Sequence, residues 1–61
     1  MDNKKVDEVV MELCDEIKGV MRAMRRANNT GDDVRVEIDS GLNLLTSAVG
    51  EIIDQISRKA A

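Results

Sequence analysis

Apolar side chains recur in the first half of the chain at Val6, Val10, Leu13, Ile17, Val20, Met24 and Ala27, in steps alternating between four and three. This is the seven-residue repeat of a helix that buries one stripe. The second half repeats the spacing at Ile38, Leu42, Leu45, Val49, Ile52 and Ile56. Between the two stripes lies one polar run, Asn28-Asn29-Thr30-Gly31-Asp32-Asp33. Asn and Gly accept the left-handed backbone that ends a helix, and Thr30 with Asp33 has the form of a capping box. The pattern predicts an all-α antiparallel two-helix hairpin, with helices over about 3–28 and 32–59 in a single domain of residues 1–61. Each helix would run about 38 Å at 1.5 Å per residue.

Folding the chain back at Gly31 sets Val10 level with Ile52, Leu13 with Val49, Ile17 with Leu45, Val20 with Leu42 and Met24 with Ile38. Val6 lies level with Ile56, and Val10, Leu13, Ile17, Val20, Met24, Leu42, Leu45, Val49, Ile52 and Ile56 are the expected core and self-association surface. The stripe is broad. Val9, Cys14, Met21 and Ala23 flank it in the first half, and Val34, Ala48 and Ile53 in the second. A wide stripe suits a helix with two or more neighbours. Gly41 and Ala48, one heptad apart, would admit another backbone. The expectation is a helical bundle built by a homo-oligomer, at least a dimer of hairpins. In organisation the chain resembles small helical-hairpin proteins whose dimers form four-helix bundles, some of which bind RNA. One segment competes with this reading. Val34-Arg35-Val36-Glu37-Ile38 alternates apolar and polar and is rich in β-branched residues, which also suits a strand. No second strand candidate exists in the chain to pair with it.

Composition sharpens the need for a partner. A chain of 61 residues is marginal as a monomer. It has one cysteine and no histidine, so an internal disulfide is excluded and a zinc site has no ordinary ligand set. It has no Phe, Tyr or Trp to enlarge the core. Association is the support that remains. With 12 acidic against 9 basic residues, general affinity for nucleic acid is not expected. The N-terminal residues lack the apolar core of a signal peptide, and the longest apolar run is Val9-Val10-Met11, so a cytoplasmic protein without membrane contact is expected.

Catalytic chemistry is not in evidence. There is no histidine for acid–base work near neutral pH and no phosphate loop, and Asp7-Glu8 and Asp15-Glu16 are adjacent pairs that diverge on a helix. No cofactor is implied. Cys14, followed by two acids, reads as a small buried apolar residue. Met11, Val36 and Leu44 fall outside the stripe. The charges are segregated: Asp7, Glu8, Glu12, Asp15 and Glu16 sit toward the open end, and Lys18, Arg22, Arg25, Arg26 and Arg35 toward the turn. The basic group complements the helix C-terminus. In the same register Arg25 lies level with Glu37 and Arg22 near Asp39, which would neutralise it. The alternative is that it binds a phosphate-bearing ligand, a nucleotide or RNA. The sequence therefore reads as a non-enzymatic protein–protein interaction module, with phosphate-ligand sequestration through Lys18, Arg22, Arg25, Arg26 and Arg35 as the second reading.

Overall fold

The computed structural model describes residues 3–60, and side chains over 5–59. It is an antiparallel helical hairpin: α1 spans Asn3–Asn28 and α2 spans Arg35–Ala60. There is no strand among the described residues. Arg35–Ile38 form the first turn of α2, with Val34 just ahead of it, so β-branching yields to the helical environment.

The turn differs from the expected one in a specific way. α2 begins at Arg35 rather than near Asp32, because Thr30 and Asp33 serve different helices. The Thr30 hydroxyl donates to the Ala27 carbonyl at 2.8 Å and accepts the Asp32 N–H at 3.2 Å, so it closes the end of α1. Gly31 follows at φ 82, a backbone region that costs L-residues about 1–2 kcal/mol. The Asp33 carboxylate accepts the Arg35 N–H at 3.2 Å, one of the amides that a first helical turn leaves unpaired. It also accepts the Arg35 guanidinium through both oxygens, at 3.1 and 2.9 Å. The guanidinium first, and the backbone N–H second, hold the Asp33 carboxyl below its ordinary range and raise Arg35 in turn. The last turns end on Arg25 and Arg26 in α1 and on Arg58 and Lys59 in α2, cations that suit helix C-termini.

The core is thin. Val6 is 2% exposed and Leu13 is 7% exposed, and no other apolar side chain with a described environment is as deeply covered. Half-buried around them are Val9, Val10, Ile17, Val20, Met24 and Ala27 on α1. On α2 the half-buried residues include Ile38, Leu45, Ala48, Ile52 and Gln55, with Gly41 buried. The stripe of α1 is therefore the one its spacing predicts. The stripe of α2 is rotated. Gly41, Ala48 and Gln55 face α1, and Leu42, Val49 and Ile56 are exposed at 50, 46 and 52%. The expected pairing of Val20 with Leu42, Leu13 with Val49 and Val6 with Ile56 is thereby corrected. Met24 packs on Gly41, close enough that a Cβ there would lie 2.7 Å from its Cγ and Sδ. The small residues that would admit another backbone admit α1. At the open end Lys59 Nζ reaches Asp7 Oδ1 at 2.7 Å across the helices. That exposed pair contributes little to stability.

The shape has a consequence for stability. The Cα extents are 46 × 15 × 9 Å, a single layer one helix thick. Its radius of gyration is 14.4 Å, against about 10.5 Å for a compact chain of this length. The accessible surface is 4902 Å², whereas a folded monomer of 6.7 kDa exposes about 3900 Å².

Candidate functional site

Two surfaces stand out, one apolar and one basic. The apolar one follows from the rotation of α2. At about 100° per residue, Leu42, Thr46, Val49, Ile53 and Ile56 share one sector of α2, roughly a right angle from the Gly41–Leu45–Ala48 line that meets α1. On α1, Cys14 and Met21 stand off the Leu13–Ile17–Val20–Met24 line by a similar angle. The helices are antiparallel, so both sectors open on the same broad side of the hairpin, the front. Ile53 is 60% exposed and Met21 56%. The Thr46 hydroxyl donates to the Leu42 carbonyl at 2.9 Å, which satisfies its polar group and leaves its methyl for packing. Cys14 is exposed, not buried as its flanking position suggested, because α2 lies against the neighbouring line of Leu13 and Ile17. Ala23 and Ile53, also expected to flank a buried stripe, are exposed for the same reason. Met11, Val36 and Leu44 stay outside the core, as their positions predict. The back carries two grooves, one of them about 420 Å³ and lined by Val20, Ala23, Met24, Val36 and Leu44 beside Glu37. The other is lined by Leu13, Val20, Leu44 and Ala48 and rimmed by Glu16 and Glu51.

The basic surface is smaller than the sequence cluster. A front-side cavity of about 490 Å³ gathers Lys18, Arg22 and Arg25 around Met21, Met24 and Leu45. No carboxylate lines it. Arg26 lies outside that lining, and Arg35 stands beyond the loop, tied to Asp33. Arg35 instead lines a different depression that it shares with Asp32, Asp33 and Asp39. The neutralising pairs Arg25–Glu37 and Arg22–Asp39 do not form. Among the described residues the ion pairs are Arg35–Asp33, Arg58–Asp54 and Lys59–Asp7. Lys18, Arg22 and Arg25 thus remain without a carboxylate partner among the described residues. The apolar floor of Met21, Met24 and Leu45 was the part missed in the sequence. Its signal was there, since Met21 stands three residues after Lys18 and four before Arg25, on the same face of α1.

No helix among the described residues is long and apolar enough to cross a membrane. The chain matches no known protein family, and comparison with curated proteins and with solved structures finds no match.

Proposed function

We propose that the chain is a non-enzymatic protein–protein interaction module of the cytoplasm, a regulator, inhibitor or assembly subunit that works as a self-associating helical bundle. One observation carries this reading. Eight large apolar side chains among the described residues are between 46 and 75% exposed, on a chain whose accessible surface exceeds that of a typical monomer by about 1000 Å². Scattered exposed apolar residues are ordinary, but a hairpin with so little core and so much apolar surface is short of burial. Light scattering across a concentration range, with circular dichroism on the same samples, tests it. The expected result is a strongly helical species of at least two chains. A helical hairpin that stays a monomer at every concentration refutes self-association.

A second reading, sequestration of a phosphate-bearing ligand, is favoured by the cavity that holds Lys18, Arg22 and Arg25 without an acid. Arginine pairs with phosphate in a bidentate fork, and a methionine floor would accept a base. Calorimetric titration with a nucleoside triphosphate and with single-stranded RNA tests it. Changing Arg22, Arg25 and Arg26 together to glutamine should remove whichever binding is seen while helix content is kept. If the triple variant unfolds, the arginines are structural.

A further inference from the structure

Resting on the self-association reading, we infer which side of the hairpin pairs and in which direction: a second copy of this chain stacks front to front, with the two turns at opposite ends. In that arrangement α1 lies over the partner's α1, and α2 over the partner's α2.

The area fits a second copy. The surface excess of about 1000 Å² compares with about 800 Å² per partner in a standard protein interface. The front also has the side chains to fill it, since Leu42, Val49, Ile53 and Met21 all point there. The back offers Leu44 and Val36, but among Glu16, Glu37 and Glu51, carboxylates that a second apolar face would have to strip of water. The middle of α2 supports the same placement. From Ser40 to Gly50 it has no charged residue on any side, three turns that are only partly covered by α1. A helix that lacks charge all round is suited to neighbours on more than one side.

Direction follows from register and charge. α2 spans 35–60, so its midpoint falls between Ser47 and Ala48. The front column Leu42, Thr46, Val49 and Ile53 is centred on that same point. An antiparallel twofold through it sets Leu42 against the second copy's Ile53 and Thr46 against its Val49, with full overlap of the helices. Turns at the same end would instead lay this column over α1, which carries Asp7, Lys18 and Arg25 on the front. The charges of α1 favour the antiparallel choice too. Residues 7–16 hold five acids and no base, and residues 18–26 hold four bases and no acid. Antiparallel stacking lays acid half over basic half, and Arg25 comes level with the second copy's Asp7. Apolar columns fix the register, and the segregated charges of α1 favour its overlap on the partner's α1.

The stack makes one sharp geometric demand. The midpoint of α1 falls between Asp15 and Glu16, and Cys14 stands on the front just beside it. The two Cys14 residues therefore meet near the twofold axis. With turns at the same end they would lie on opposite flanks of the bundle, about one helix spacing or more apart, roughly 8–10 Å. That exceeds disulfide reach, about 4.4–6.8 Å between Cα atoms.

The experiment uses the full chain. Mass is measured by light scattering and helix content by circular dichroism for wild type, Ile53→Glu and, on the back, Leu44→Glu. Each is then treated with diamide, which takes up the two electrons and two protons released when two thiols join. The expected result is a wild type of two chains or an even multiple, readily crosslinked through Cys14. Leu44→Glu should behave the same, and Ile53→Glu should lose at least half its mass and most of its crosslinking. Should Ile53→Glu lose its helix content, Ile53→Ser at several concentrations replaces it, with a weakened association expected. A wild type that stays monomeric overturns the self-association reading itself. An oligomer that Leu44→Glu breaks and Ile53→Glu does not, or a trimer, leaves self-association standing and overturns this interface. An oligomer broken by Ile53→Glu that resists crosslinking overturns the antiparallel direction.

Discussion

Replacing Leu13 with alanine should destabilise the chain by about 2–3 kcal/mol, the lower part of the range for a buried leucine. Leu13 is one of two apolar side chains among the described residues with almost no exposure, and it lines one groove with Ile17 and Val20 of its own helix and Ala48 of α2. The lower part of the range applies because its neighbours Ile17, Val20 and Leu45 are only half-buried and can close on the space it leaves. Even so, the fraction lost is large. A 61-residue hairpin with two deeply buried apolar residues has few kilocalories to spare, so a loss of this size moves most of the chain out of the helical state at low concentration. Urea titration followed by circular dichroism measures it. Because association stabilises the folded form by mass action, the midpoint should climb with protein concentration in both wild type and variant. A Leu13→Ala chain whose midpoint matches wild type at every concentration would show that Leu13 does not anchor the hairpin.

The two helices and the turn between them were legible because each leaves a local signature. The alternating steps of α1 mark a stripe that the structure buries, from Val6 through Ala27. For α2 the same rule chose the larger side chains, Leu42, Val49 and Ile56, as the inward line. The structure turns Gly41 and Ala48 inward instead, so the two helices approach over small residues. Periodicity alone could not make that choice. Leu42 and Gly41 are adjacent, and either line keeps the heptad; which one meets α1 depends on shape against Met24, and that is a tertiary property. The same rotation governs the candidate site. Leucine, valine and isoleucine released from the inner line become the front face, and Cys14 becomes exposed. The basic cluster was legible as charge but not as a site, because helical spacing alone did not show that Arg35 would be drawn to Asp33 while Lys18, Arg22 and Arg25 gather round one cavity. The short loop was misread by three residues because Thr30 and Asp33 fit a capping box in sequence and act on different helices in space.

Replacing Gly41 with isoleucine should force the helices apart and cost about 1–3 kcal/mol or more, the range for overpacking a close contact. A Cβ at this position falls 2.7 Å from both Cγ and Sδ of Met24 and 3.5 Å from its Cε. Alanine is a milder case. Methionine can swing its unbranched chain aside, and the gain in helix propensity over glycine, about 1 kcal/mol, offsets much of the contact. Isoleucine has no such escape. Its χ1 is held to one rotamer in a helix, so its branches cannot turn away and Met24 must leave the interface. Ile38 and Leu45, one turn to either side, would then lose their seat against α1. Thermal melts by circular dichroism should rank the variants with Gly41→Ile well below Gly41→Ala. Shortening Met24 to alanine should cost stability in the wild type and recover part of it in the Gly41→Ile chain, the coupling expected of residues in direct contact. Gly19 is the control: nothing lies within 4 Å of a Cβ there, so Gly19→Ala should gain about 1 kcal/mol from propensity alone. If Gly41→Ile melts with Gly19→Ala, Met24 does not sit on Gly41, and Leu42, Val49 and Ile56 return as the inward line of α2.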